Sequence, residues 1–531
     1  MTTKLLRKAQ QTVERVAAAS APDRDREDIL TEACAQFTLN DFGHVARLAV
    51  RHGDFLRFVP ELGWVAYDGR RWDVDGGDQV ARRLAQETLG DICDEADFVP
   101  SKKGGAKGVC PKKARAKYGA HVCTSAKVRS LLEAAQSHFM ASTDEFDSNP
   151  EVLGVQNGVI DLKTGKLLPH DPSFMLTRLA AVEFDADAEA PRWAKFLEEV
   201  MCDDADLVGF LQELMGYAAF GHQKEEICVF FSGDETRQRD NGSNGKSVML
   251  ETLGKVFGEH KVAVSRGLIA ESKSGSGIPN DLAKLRGARL AVGAEFKRSD
   301  VVDEERYKQA TGGDTIQARF LNREFFDFRS AATPIFSTNT VPMLTGLDNG
   351  TKRRLLIVPF KNRWYRPEDC PPGEKVVDRH LEDKLEKELP GILAWIVAGA
   401  VRYSKNGGLT IPEQLIAKRD EKMSEFNPLG DFQSACLEPD DRSTLTYDEI
   451  AQTYRNWLQA NGVLQREAEA VKAQWLGRRL TDIGCVKDVA ETRRRGVGIR
   501  RGFRFSSRGE RYLNGPVSGQ ATSGPLTVAA E

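Results

Sequence analysis

A chain of 531 residues with 40% hydrophobic content is long enough for roughly two to four packed domains, which excludes an intrinsically disordered polypeptide. Its 75 basic and 78 acidic residues leave a formal net charge of -3, excluding a globally basic nucleic-acid coat while leaving local patches open. Nine cysteines, an odd number scattered through a large chain, do not make a secreted disulfide framework and point to a reducing compartment.

The N-terminal stretch "MTTKLLRKAQQTVERVAAASAPDRDRED" alternates charge with alanine and has no apolar leader segment. No apolar run approaches membrane-spanning length, so the expectation is an intracellular, soluble protein with no membrane partner. Residues 1–36 read as a helical extension. Residues 37–190 read as an α+β domain in which "FLRFVPELGWVAYDGRRW" turns at Asp68-Gly69, and "VQNGVIDLKTGKL" carries turn signals at Asn157-Gly158 and Thr164-Gly165. Between them "SKKGGAKGVCPKKARAK" is basic and glycine-rich, a solvated loop or a phosphate-contacting surface. Cys93, Cys110, His121 and Cys123 have irregular spacings without a CxxC pair, so zinc is the weaker reading of them.

Residues 191–375 alternate helix and strand. "PRWAKFLEEVMCDDADLVGFLQELMGYAAFG" has helical periodicity, and "ICVFF", "RLAVGAEF" and "TPIFSTN" are short β-type runs separated by helices. That alternation predicts an α/β fold with a parallel sheet and a ligand at its carboxyl edge. The first run leads into "NGSNGKS", which ends like a phosphate-binding loop. Gly242, Ser243, Asn244, Gly245, Lys246 and Ser247 would curl around the phosphates of ATP, with Lys246 on the β and γ phosphates and Ser247 on Mg2+. Asp240 stands where such loops carry a glycine, so Asp234 to Asp240 reads as an outward insertion.

Each later run ends on a polar group. Glu295 follows "RLAVG" and can orient an attacking water or hold Mg2+ through water; a salt-bridged glutamate is the plain alternative. Asn339 ends "TPIFSTN" and can position water or sense the γ-phosphate, or simply form a turn. Arg353 and Arg354 precede a further strand in "GTKRRLLIVPF", where a guanidinium can reach a neighbouring subunit's γ-phosphate, or form a surface pair. Residues 376–432 read as a helical lid containing "LPGILAWIVAGAVRY", expected to pack on the sheet.

Residues 433–512 read as a winged-helix-like DNA-binding unit. Ile450, Tyr454, Trp457 and Leu458 share a helical face, "KAQWLGRRLTDIG" is the candidate recognition helix with Arg478 and Arg479, and "RRRGVGIRRGFRF" is the candidate two-stranded wing. Arg493, Arg494, Arg495, Arg500 and Arg501 would address phosphates, unless the hairpin is only basic and solvated. The tail 513–531 has no core-forming pattern and is expected to be disordered.

The ordered set "NGSNGKS", "GARLAVGAEF", "YKQATGGDTIQARFLNREFFDF", "IFSTNTVP" and "DNGTKRRLLIVPF" resembles the superfamily 3 helicases of the phage/plasmid primase-helicase type, related to the poxvirus D5 group. The "GWVAYDGRRW" and "VQNGVIDL" region looks like that family's D5 N-terminal domain, so the resemblance covers most of 37–432. It implies an AAA+ ATPase core, ATP and Mg2+ as cofactors, and a homo-oligomeric, usually hexameric, ring translocating on single-stranded DNA at forked or origin DNA. It further implies phage, prophage or plasmid replication in a bacterial cytoplasm. The turn between "TIQARF" and "FFDF" would project Arg319, Asn322 and Arg323 into a central pore, with Lys308 as an additional DNA, phosphate or salt-bridge residue. About forty residues precede "TLNDFGHVARL", too few for a primase domain, so a separate primase or polymerase partner is expected. The alternatives are an origin-melting initiator, or a non-unwinding DNA-binding nucleotide switch in defence or regulation.

Overall fold

The computed structural model describes residues 4–20, 24–99, 110–233, 242–270, 280–293, 295–297, 300–318, 326–344, 348–426 and 429–515. They fall into two compact units, one spanning 1–298, 305–341 and 356–412, the other 299–304, 342–355 and 413–531. The pore-turn residues Arg319, Asn322 and Arg323 and the insertion from Asp234 to Asp240 lie outside the described residues.

The first unit opens with helices Lys4–Ala18, Arg26–Ala35 and Asp41–His52 and continues through two antiparallel meanders. Strands β1 (Leu56–Val59), β2 (Gly63–Tyr67) and β3 (Trp72–Asp73) form one, with Tyr67 opposite Trp72, so the expected turn around Asp68-Gly69 is present. Helices Asp41–His52, Gly77–Gly90 and Ser125–Gln136 supply Leu48, Leu89 and Leu131 to a core shared with Leu56 and Trp64 of this meander. Arg47 is fully buried there and uses its donors on Glu95 (2.7 and 2.9 Å) and on the carbonyls of Thr38 and Phe37, a satisfied arrangement with a structural role.

Strands β4 (Val152–Val155), β5 (Gly158–Asp161) and β6 (Lys166–Leu168) make the second meander. Its first turn falls on Gln156-Asn157, one residue before the position expected, because Val155 pairs with Gly158. Asn157 is committed elsewhere: its amide nitrogen donates to Phe184 O and its amide oxygen accepts from Phe184 N, both at 2.9 Å.

The central sheet runs in the order β15-β7-β13-β9-β8, built from β7 (Cys228–Ser232), β8 (Lys261–Val264), β9 (Leu290–Gly293), β13 (Thr333–Thr338) and β15 (Leu355–Pro359). The pairs β7 with β13, β13 with β9, and β9 with β8 are parallel, and every residue of β7 is buried, as a strand covered on both faces requires. This is the α/β core expected from the alternating runs. The four-residue β8 was not anticipated; only its last residue is buried, so its sequence carries little apolar signal.

Helix Ala205–Ala219 packs on helix Leu389–Asn406, and Trp193 of helix Pro191–Val200 meets Trp395 edge-on at 5.6 Å. The apolar 389–406 helix thus finds its main partners in helices, including Lys246–Phe257, rather than in the sheet. Strands β11 (Thr315–Ala318) and β12 (Phe326–Arg329) pair antiparallel and flank the expected turn. Strands β16 (Trp364–Tyr365) and β17 (Lys375–Val376) form a short parallel pair.

In the second unit β10 (Val301–Val302) pairs with β14 (Met343–Leu344), and β18 (Leu437–Thr446), β19 (Val486–Lys487) and β20 (Ile499–Phe505) form a sheet in the order β18-β20-β19. Ile450, Tyr454, Trp457 and Leu458 are all buried, joined by Phe432, Leu476, Leu480 and Phe503 in one core. The wing as read needs correction. Arg493, Arg494 and Arg495 end a helix, Val489–Arg495, capped at its start by the Asp488 side chain, and only the following segment is a strand. Among the described residues no helix is long and apolar enough to cross a membrane.

Candidate nucleotide-binding edge

The register of the sheet brings the expected polar groups together. Ile335 pairs with both Val229 and Val292, Phe336 pairs with Gly293, and Thr338 pairs with Ser232. Counting onward from those pairs, Glu295 and Asn339 leave the same carboxyl edge at which β7 turns toward the phosphate-binding loop. Beneath them Phe230, Phe296 and Phe336 pack at centroid separations of 5.1 to 5.9 Å, which anchors the residue next to Glu295 in the core. Gly293 makes this possible: a Cβ there would sit 2.0 Å from the Phe336 ring.

The loop Gly242 to Ser247 leads into helix Lys246–Phe257 through two left-handed residues, Ser243 (φ 56°) and Gly245 (φ 83°). Gly245 is needed twice over, since a Cβ would also meet Val200 at 2.7 Å. Gly242, Ser243 and Ser247 are exposed, whereas Asn244 and Lys246 are buried. Asn244 donates to Phe360 O at 3.4 Å and accepts from Lys246 Nζ at 2.8 Å.

Lys246 Nζ also donates to Asn339 Oδ1 at 3.2 Å, and Asn339 Nδ2 donates to Glu295 Oε1 at 3.1 Å. The two bonds fix the Asn339 amide, because a flipped amide would set donors against the ammonium and an acceptor against the carboxylate. Burial pulls the Lys246 pKa down to about 8, against the opposing pull of the Glu295 carboxylate. The result is a lysine under tension to find an anion, linked through one amide to an exposed carboxylate.

The remaining candidates separate by environment. Lys308 is half-buried on helix Glu304–Thr311. Arg353 is exposed and Arg354 half-buried on helix Asn349–Arg354, where Arg354 donates to Gly350 O at 2.9 Å; this helix belongs to the second unit. Arg478 and Arg501 are exposed and Arg479 half-buried, while Arg493, Arg494 and Arg495 are exposed, the last two paired with Glu491. Arg500 is a correction: it is buried, and it donates to Thr481 Oγ1 (2.9 Å), Cys485 O (3.0 Å) and Gly477 O (3.0 Å), so its guanidinium is used inside the domain. Among the described residues no group of three or more His, Cys, Asp or Glu gathers as a metal site.

Sequence reasoning missed Trp364, whose backbone N–H donates to Ser243 O at 2.9 Å. The signal was available in "NRWYR", two aromatics between arginines directly after the last sheet strand.

Residues 45–202 match the family described as D5 N terminal like, and residues 239–354 match a family of unknown function, DUF5906. The L207/L206 protein of Acanthamoeba polyphaga mimivirus, which bears a helicase name, is 27% identical over 59% of this chain and 34% of its own length. The C962R protein of African swine fever virus, which bears a primase name, is 22% identical over 72% of this chain and 41% of its own. The chain is related to the D5-like primase-helicases. It spans about a third to two fifths of the length of these relatives. The solved apo structure of the NrS-1 C-terminal region aligns over 83% of this chain and 89% of its own with 13% identity and a TM-score of 0.44, too low to bear on the fold.

Proposed function

We propose that this D5-like chain is an ATP-dependent DNA motor of the superfamily 3 helicase type, acting as a ring in phage, prophage or plasmid replication. The observation that carries the reading is the Lys246–Asn339–Glu295 series, contributed by the loop after β7, the end of β13 and the segment after β9. Three neighbouring parallel strands delivering a buried cation, an amide and a carboxylate to one edge suit hydrolysis of a phosphoanhydride.

The residues fit ATP and Mg2+: the loop carries its left-handed residues, Lys246 is buried against neutral amides, and the hydroxyl-bearing Ser247 is exposed in the first turn of a 12-residue helix. When bound, Mg2+ with ATP supplies the phosphoryl group to be cleaved and a counter-charge for it. Lys246 would exchange its amide partners for phosphate oxygens, and Ser247 would be the side-chain ligand for the metal. Glu295, exposed and accepting a bond from the Asn339 amide, would take the proton of the attacking water. Asn339 would register the lysine's departure, since the bond it gives Glu295 depends on the bond it accepts from Lys246. Arg353 or Arg354 would serve a neighbouring subunit's γ-phosphate.

Arg319, Asn322 and Arg323 would line the pore on single-stranded DNA, and a separate primase or polymerase would complete the replication machinery. The exposed Arg478, Arg493 and Arg501 favour a duplex or origin contact by the second unit. The test is single-strand-stimulated ATP hydrolysis and unwinding of a forked duplex by the full chain. Arg353→Ala or Arg354→Ala protein, inactive alone, should regain partial ATPase on mixing with Lys246→Ala protein. ATP hydrolysis without unwinding, at any fork polarity, would demote the motor to a DNA-binding switch.

A further inference from the structure

A groove of about 520 Å³ opens beside the phosphate-binding loop, lined by Ser243, Arg363, Trp364, Tyr365, Arg366 and Asp369 among others. Its volume lies within the roughly 300–1,000 Å³ of small-molecule sites. We propose that this groove is the nucleoside subsite of the nucleotide whose phosphates lie against Lys246, with Trp364 the stacking surface for the base; the proposal rests on nucleotide binding at that lysine.

Three observations carry it. The first is continuity: the Trp364 N–H donates to Ser243 O at 2.9 Å, so the wall of the groove is bonded to the loop itself. The second is direction. Lys246 reaches Asn339, and through it Glu295, at the hydrolytic side of the loop, and neither Asn339 nor Glu295 lines the groove, whereas Ser243 does. A nucleoside triphosphate with its terminal phosphate at Glu295 must carry its nucleoside away from that side, and Ser243 marks the exit.

The third is chemistry. The Arg363 guanidinium lies 4.6 Å from the Tyr365 ring centre, and both line the groove beside Trp364 and Arg366, a wall of π faces and cations that suits a heteroaromatic base; Lys375, with Nζ 5.6 Å from the Trp364 ring centre, stands outside that lining. Asp369 adds exposed acceptors of the kind an exocyclic amino group requires. The plain alternative is that Trp364 only covers the loop. The segment is indeed fastened: Asn362 donates to Glu199 O, and β16 pairs with β17. Fastening explains the backbone of this segment, yet it does not require two half-buried aromatics facing an open cavity rather than a filled one.

Tripolyphosphate, which has the phosphates and no nucleoside, separates the subsite from the cradle. Binding of Mg2+–ATP and Mg2+–tripolyphosphate to the full chain is measured by calorimetry for wild type, Trp364→Ala, Trp364→Phe and Asp369→Asn. A stacking contact predicts that Trp364→Ala weakens ATP about tenfold or more and changes tripolyphosphate less than twofold, with Trp364→Phe recovering most of the loss. Asp369→Asn should weaken ATP several-fold and leave tripolyphosphate unchanged, which keeps a readout if Trp364→Ala does not fold. Equal losses on both ligands, or no loss on either, would overturn the subsite. Failure of the wild type to bind even tripolyphosphate would instead overturn nucleotide binding at Lys246, and the subsite with it.

Discussion

The two ends of the central sheet each bury a basic side chain, and they do it in opposite ways. At the amino edge Arg289, immediately before β9, is fully buried and donates to the backbone carbonyls of Val152 (2.6 Å) and Ala219. At the carboxyl edge Lys246 has two side-chain amides, Asn244 and Asn339. Backbone carbonyls cannot leave without unfolding something, whereas side-chain amides rotate away at little cost. A buried cation held by the first kind of partner is a rivet, and one held by the second is waiting for a better partner. Arg500 of the second unit, with two carbonyls among its three acceptors, belongs with Arg289.

Glu295→Gln should break the contrast most severely at the carboxyl edge. Loss of the base should lower ATP turnover by about 10²–10⁴-fold while ATP still binds, measured by steady-state hydrolysis against calorimetric affinity. Turnover within twofold of wild type would return Glu295 to a structural role.

Arg289→Met is the matching change at the amino edge. It strands two buried carbonyl acceptors and should destabilise the first unit by about 3 kcal/mol, read as a lower urea midpoint. ATP affinity, measured below that midpoint, should stay within about threefold of wild type.

The pH dependence of stability sharpens the comparison further. Lys246 titrates at about 8 when folded, below its ordinary 10.5, so between those values the unfolded chain holds the extra proton. Its contribution therefore makes stability rise as pH climbs from about 8 to about 10.5, and adds no slope below that window. Lys246→Met should remove this rise, so the wild-type urea midpoint gains on the variant's as pH climbs from about 8 to about 10.5 and keeps a constant offset from it below that window.

The smallest effect is expected for Arg493→Ala combined with Arg494→Ala. These exposed side chains should matter to stability by less than about 0.5 kcal/mol, yet the double variant should reduce the salt dependence of duplex binding by about two ion equivalents. An unchanged salt slope would remove them from the DNA surface.

What was legible in the sequence follows the same physics. Strands buried on both faces announce themselves as apolar runs, so β7, β9 and β13 and the polar groups at their ends, Glu295 and Asn339, could be read directly. The wing was misread because Gly496 and Gly498 look like a hairpin turn. The cap that Asp488 places on Glu491 N starts a helix instead, and Gly496 (φ 73°) ends it. Arg500 was counted with its neighbours although a strand's period of two sends Arg500 and Arg501 to opposite faces, one buried and one exposed. The pattern "NRWYR" marks Trp364 as unusual, but its link to Ser243 joins positions more than a hundred residues apart through the backbone, which no side-chain pattern records.

The wall behind the phosphate loop bears on how such proteins can be recombined. Val200 and Phe196, which a Cβ on Gly245 would strike at 2.7 and 3.3 Å, belong to the last helix inside the D5 N-terminal-like match, and Glu199 O of the same helix receives the Asn362 and Lys375 side chains. The segment that a family comparison assigns to one module is therefore a supporting part of the next. A chimera that joins a foreign N-terminal region at residue 202 would inherit a loop without its backing, whereas a junction placed before Pro191 would carry the helix, the loop and the groove across together.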